Sequence, residues 1–163
     1  MIVAKKAKWR FMLWGGIGAG KTTLLRALEG ECVPARKTQM IDYAGWCIDT
    51  PGEYSEMGNF MRHLVTTASD AQLLVVVQDA TRPHSNFPPK YFLMFSQPTI
   101  GVVTKTDAPA ADVERATVLL RQCGVTGEVF HVSAITGSGL SMLRQTLLVY
   151  RSKGASHDGE SSR

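Results

Sequence analysis

An α/β fold, a mostly parallel sheet with helices on both faces, is what this chain predicts, and three observations carry the prediction. Apolar runs of strand length alternate with helical periods along the chain. The run Leu73-Leu74-Val75-Val76-Val77 is continuously apolar, as a strand covered on both faces must be. Glycine-bearing and polar segments follow the strands, where right-handed crossovers gather the carboxyl ends and leave a crevice for ligands.

Each element follows from its local pattern. Strand one is expected from Lys8 to Trp14, then a glycine-rich loop and a helix over 21–29. Leu24, Leu25 and Leu28 form that helix's apolar stripe, and Gly30 stops it. The polar stretch 31–40 has no period, Trp46 to Asp49 reads as a strand, and 60–67 reads as a helix burying Phe60, Met61, Leu64 and Val65. After the strand at 73–77, Pro83, Pro88 and Pro89 interrupt regular structure and leave one helical turn over 91–95. Thr99 to Val103 is another buried strand. Asp112 to Cys123 is a helix that turns Val113, Ala116, Val118, Leu119 and Leu120 toward the sheet and ends at Gly124. Val129 to Val132 and 140–150 supply the last strand and helix.

A chain of 163 residues, 44% apolar and 20% charged, has material for one core. A domain over 1–151 and a flexible polar tail over 152–163 are expected, the tail being rich in Ser and Gly. No apolar run is long enough to span a membrane, and residues 1–9 lack a signal-peptide pattern. Cys32, Cys47 and Cys123 are scattered, with spacing wrong for zinc, so reduced thiols in a cytoplasmic setting are the default. Lys5, Lys6, Lys8 and Arg10 account for the whole formal charge of +4. That arm reads as the solvated end of strand one, with docking to an acidic partner or a phosphate backbone as the alternative. Its basic residues are not interleaved with aromatics in a repeated patch, so nucleic acid is not the expected partner.

Chemistry concentrates after four strands. Residues 15–22 read G-G-I-G-A-G-K-T, with Gly15, Gly20, Lys21 and Thr22 at the positions of the G-x-x-x-x-G-K-[ST] phosphate-loop pattern. Backbone N–H groups of Gly16, Ile17, Gly18, Ala19, Gly20, Lys21 and Thr22 would ring a β-phosphate, with the helix start adding its positive end and Thr23 completing the first turn. Lys21 would bridge β- and γ-phosphates, and the Thr22 hydroxyl would go to Mg²⁺. Asp49-Thr50-Pro51-Gly52 fits a D-x-x-G loop in which Asp49 holds the metal through water and the Gly52 N–H senses the γ-phosphate. Thr38 is the well-placed threonine between the two motifs, able to close over Mg²⁺. After strand 99–103, Thr104-Lys105-Thr106-Asp107 offers a carboxylate that accepts both N1–H and the exocyclic amine of guanine, a donor pair adenine lacks. Lys105 would lay its stem along the base, and Ser133-Ala134 would bring a backbone N–H near the guanine oxygen.

These motifs, with R-K-T at 36–38, D-T-P-G-E-Y at 49–54 and T-K-T-D at 104–107, resemble the P-loop GTPases of the Era/Ras-like class. More closely they resemble the small EutP/PduV family of ethanolamine and propanediol utilisation. The resemblance covers about 10–150 and implies a three-layer P-loop NTPase fold. It implies a small Mg²⁺-dependent GTP-binding protein that hydrolyses GTP to GDP slowly, cytoplasmic and associated with bacterial microcompartments through a shell or enzyme partner. Some members of that family are described only as ATP-binding.

Departures from the wider class carry information. Thr104 stands where the class has Asn, which ties the base loop to the phosphate loop, so Thr supplies only part of that network. The stretch 38–49 is short, which implies a shortened switch hairpin and a stunted or missing edge strand. Glu53 replaces the water-orienting Gln of Ras-like enzymes, Gly18 replaces the Asn of potassium-activated ones, and Ile17 crowds the route of an external arginine. Weak intrinsic hydrolysis follows. Arg36 is the internal cation considered for the γ-phosphate, while Glu56 and His63 read as helix residues. Two other readings stay open, a small-molecule kinase acting on a metabolic acid and a scaffolding module of a protein shell docked through the basic arm and tail.

Overall fold

Continuous burial along the apolar runs builds a sheet with a core on each face. The computed structural model describes residues 9–29, 46–50 and 61–157. Through them run β1 (Phe11–Trp14), α1 (Lys21–Glu29), β2 (Cys47–Asp49), α2 (Met61–Ala68), β3 (Leu73–Asp79), β4 (Thr99–Thr104), α3 (Val113–Gln122), β5 (Val129–His131) and α4 (Leu140–His157). A short 3₁₀ turn occupies Tyr91–Met94.

The strands form one sheet in the order β2-β1-β3-β4-β5, and every pairing among the described residues is parallel. Side chains two apart share a face. Phe11, Leu13, Leu73, Val75 and Val77 therefore pack with Leu24, Leu25 and Leu28 of α1 and Leu140, Leu143 and Leu147 of α4. Met12, Trp14, Leu74 and Val76 meet Leu64 and Ala68 of α2 and Ala116 and Leu120 of α3 on the other face. The result is the three-layer arrangement that the strand and helix order implies.

Two helices bury narrower stripes than their composition suggests. In α2, Leu64 and Ala68 are buried one above the other, while Val65, a further 100° round the helix, is 41% exposed. In α3, Ala116 and Leu120 face the sheet, and Val118, about 200° away, is exposed. The side chain of Asp112 caps α3 by accepting from Arg115 N–H, and Gly124 ends it at φ 99°. The last helix continues to His157, so 152–157, expected as loose tail, are helical. The shortened switch hairpin and the stunted or missing edge strand expected of 38–49 fall mainly on 38–45, outside the described residues.

The proline-broken segment after β3 acquires order from aromatic packing. Phe87, Tyr91, Phe92 and Phe95 surround Trp14, the last residue of β1, at ring separations of 6.2, 5.8, 5.1 and 5.1 Å. This cluster fixes the point from which the glycine-rich loop departs.

Candidate functional site

The loop after Trp14 is shaped through its carbonyls. Lys21 Nζ donates to Gly15 O at 2.7 Å and Gly16 O at 3.1 Å. Arg82 Nη2 donates to Ile17 O at 2.9 Å, Lys105 Nζ to Gly18 O at 2.7 Å, and Thr104 Oγ1 to Ala19 O at 2.6 Å. Five consecutive carbonyls, 15–19, thus each accept a side-chain hydrogen bond. With the oxygens engaged in this way the loop can turn N–H groups toward an anion, as a backbone nest does, while Ala19 N–H donates to Gly16 O at 3.1 Å. Gly18 at φ 70° and Gly20 at φ 90° supply the left-handed turns that the path needs. No acidic residue lies in the first turn of α1, so the helix places no carboxylate of its own at its positive end.

A buried carboxylate holds one of those donors and adjoins another. Asp79, at the carboxyl end of β3, is 3% exposed and accepts from Lys105 Nζ at 2.6 Å, with Arg82 Nε 3.9 Å away. Its other oxygen accepts from Thr81 N–H at 2.8 Å and the Thr81 hydroxyl at 2.6 Å. Burial pushes the Asp79 carboxyl upward, but the bonds from Lys105 and Thr81 outweigh it and hold it below the usual carboxylate value of 3.8. Lys105 sits at φ 59°, a conformation that costs a non-glycine residue about 1 kcal/mol or more, and its two bonds over-determine it. Asp79 thereby links the ends of β3 and β4 to the phosphate loop.

On the base side, Asp107 is anchored through one oxygen. Asp107 Oδ1 accepts from Ser133 Oγ at 2.7 Å, and that buried hydroxyl accepts from Thr136 N–H at 3.1 Å. Ser133 N–H is engaged with Ser138 O at 3.0 Å, whereas Ala134 N–H has no hydrogen-bond partner among the described residues. Of the two residues named for the guanine oxygen, Ala134 is the one with a donor to give. The Thr104 hydroxyl also approaches Gln78 O at 3.4 Å, but it carries one hydrogen, which the shorter bond to Ala19 O takes. Threonine therefore makes the tie to the phosphate loop with one bond where Asn would have two N–H donors.

For the metal, the described residues offer hard oxygen. The Thr22 hydroxyl lies exposed in the first turn of α1. The parallel register sets Asp49 beside Leu13, and the Thr50 hydroxyl donates to Leu13 O at 2.7 Å, tying the D-x-x-G segment to the end of β1. A hydroxyl in the first turn of α1 and a carboxylate residue at the end of β2 are the donor types Mg²⁺ takes. Thr38, Gly52, Glu53 and Arg36 lie outside the described residues, as does the side chain of Asp49.

Sequence reasoning missed Asp79, Arg82 and Asn86. The signal was present, since Gln78-Asp79 are polar residues closing an apolar strand at its ligand-binding end. Asn86 lies against the loop so closely that a Cβ on Gly16 would stand 1.9 Å from its Nδ2. With Gln78, Asp79, Arg82 and Phe87 it lines a small depression beside Gly16 and Ile17.

A parallel sheet, a G-x-x-x-x-G-K-T loop with its carbonyls engaged, and a T-K-T-D loop braced against it place this chain in the P-loop GTPase superfamily. Within that superfamily it belongs to the PduV-EutP family, "Ethanolamine utilisation - propanediol utilisation", whose model matches residues 8–149. Its relatives include "Probable acetate kinase EutP" of Escherichia coli (strain K12), 38% identical over 127 residues, covering 77% of this chain and 80% of that one. "Propanediol utilization protein PduV" of Citrobacter freundii is 36% identical over 134 residues, covering 80% of this chain and 87% of that one. Among solved structures, the cytosolic domain of the T. maritima FeoB iron transporter in its GMPPNP form superposes with a TM-score of 0.56 at 24% identity. That match covers 88% of this chain and 63% of the solved chain, and it shows the fold. No helix among the described residues is long and apolar enough to cross a membrane.

Proposed function

We propose that this chain is a small Mg²⁺-dependent GTP-binding protein that hydrolyses GTP slowly and serves as a switch or accessory factor in bacterial microcompartment metabolism. One observation carries the reading. Side chains from α1, from the end of β4 and from the segments that follow β3 and β4 converge on the carbonyls of one loop, an arrangement suited to presenting N–H groups to a polyphosphate. Lys21 meets the β- and γ-phosphates, Thr22 and Asp49 hold the metal with Thr38, and Gly52 reports the γ-phosphate. Asp107, fixed by Ser133, reads guanine, and Ala134 N–H meets the guanine oxygen. The proposed setting is cytoplasmic, beside a shell or enzyme partner; the family description itself names ethanolamine and propanediol utilisation.

The test is a swap of base specificity. Asp107→Asn replaces an acceptor by a donor and should move preference from guanine to xanthine nucleotides by at least about tenfold, one good hydrogen-bond pair being worth about 1.4 kcal/mol. An unchanged preference removes Asp107 from its assigned role.

A second reading is a kinase for a small acid, and two observations favour it. Relatives carry the name probable acetate kinase. The depression beside Gly16 and Ile17, with Arg82 and Asn86 on its wall, includes Gly16, whose carbonyl accepts from Lys21 Nζ at 3.1 Å, and its Arg82 offers a cation to a carboxylate. Transfer of labelled phosphate from ATP or GTP to acetate, at a rate above hydrolysis, would establish this reading; hydrolysis with no acyl phosphate trapped by hydroxylamine would dismiss it.

A further inference from the structure

The geometry points to Arg82 as an arginine supplied in cis to the terminal phosphate of a bound nucleoside triphosphate, an inference that rests on the nucleotide-binding reading above.

Arg82 is launched from a fixed place. Its N–H donates to Asp79 O at 3.2 Å, closing a turn directly after β3, and Pro83 restricts its backbone to extended conformations. From there the side chain crosses to the phosphate loop, where Nη2 reaches Ile17 O at 2.9 Å. A Cβ built on Gly18 would meet Nη2 at 3.5 Å, an ordinary contact, so the guanidinium lies close against the loop there. The carbonyls of Gly15 and Gly16, which precede Ile17, hold Lys21 Nζ. Two cationic side chains therefore occupy successive positions along the loop, one buried and one at its rim.

Among the described residues, the bonds holding Arg82 leave most of its donors free for an anion. A guanidinium has five N–H donors, and one of them is used on Ile17 O. The contact to Asp79 is 3.9 Å long, and the Arg82 side chain is 47% exposed, the regime in which an ion pair contributes little. Asp79 is already engaged by Lys105 and Thr81. Arg82 can keep its loop contact while turning its outer edge to phosphate oxygens, for which the planar fork is matched. It stays protonated throughout. In hydrolysis, water attacks the γ-phosphorus, the bond from that phosphorus to the β–γ bridging oxygen breaks, and GDP and inorganic phosphate leave with release of a proton. The guanidinium stabilises negative charge building on the bridging and γ oxygens. This supplies the internal catalyst that position 53, a glutamate, does not.

A loop clamp and a γ-phosphate ligand are separable by experiment. Full-length wild type, Arg82→Ala, Arg82→Gln and Arg82→Lys are titrated, with Mg²⁺, against GDP and a non-hydrolysable GTP analogue, and single-turnover GTP hydrolysis is measured. The alanine and glutamine variants should bind the triphosphate at least about tenfold more weakly with GDP affinity kept within about twofold, and should hydrolyse at least about 100-fold more slowly. The lysine variant should recover triphosphate affinity but little of the rate, because a point charge lacks the fork. Gln retains a donor for Ile17 O, so a folding loss confined to the alanine variant leaves the test intact. Equal losses for GDP and the triphosphate analogue, or no loss for either, overturn the proposal and leave nucleotide binding standing. A wild type that binds neither nucleotide overturns both.

Discussion

Replacing Asp79 by Asn tests whether a single buried carboxylate braces the nucleotide site. The substitution keeps shape and an oxygen for Thr81 but turns an N–H toward the Lys105 ammonium, which stands 2.6 Å from Oδ2. A hydrogen bond to a charged group contributes about 1.5–3 kcal/mol, and Lys105 is 43% exposed, so the lower half of that range, about 2 kcal/mol, is expected. In a domain of this size that lowers the melting midpoint by about 4–8 °C. The pH dependence gives a second handle. Because the folded carboxyl is held below 3.8, its contribution is complete above that value and is lost as the pH falls through the folded pKa. Urea titrations of both proteins should therefore show a constant stability gap from about pH 8 to pH 5, closing below 3.8. A gap under about 0.5 kcal/mol at neutral pH, or one that widens on acidification, would refute the brace.

Two further outcomes follow from neighbouring geometry. Thr104→Val removes the hydroxyl that meets Ala19 O at 2.6 Å and should cost about 1–2 kcal/mol of stability, with weaker nucleotide binding; calorimetric unfolding and titration check both, and unchanged binding counts against the tie. Gly137 and Gly139 have nearly the same φ, 80° and 77°, yet a Cβ on Gly137 meets nothing while one on Gly139 would lie 2.1 Å from His131 O. Gly137→Ala should cost about 1–2 kcal/mol and Gly139→Ala clearly more, as read by denaturant midpoints, and equal costs would contradict the close approach.

Much of this was legible in the chain because it is local. The strands at 11–14, 73–79 and 99–104 declare themselves by composition, and the phosphate loop by residue type at fixed spacing. The placement of Thr104 and Asp107 at the end of β4 follows from where apolar character stops. Contacts across the sequence were not legible. Nothing near Arg82 indicates that it reaches Ile17, 65 residues earlier, and nothing near Phe87 indicates that the proline-broken segment closes over Trp14. Asp79 could have been found, since a carboxylate at the buried end of an apolar strand must have partners. Composition also overstated burial on the helices. Val65 and Val118 are apolar but lie off the narrow stripe that touches the sheet, so only three-dimensional packing sets the width of each face.

The central claim is that the loop at 15–22 binds a guanine nucleotide through its backbone and Lys21. Calorimetric titration of the purified chain with GDP and with ADP, in Mg²⁺, beside Lys21→Ala, tests it most directly. The account predicts GDP binding at least about tenfold tighter than ADP, abolished in Lys21→Ala without loss of fold. Tighter binding of ADP, or a wild type that retains neither nucleotide at millimolar concentration, would contradict it.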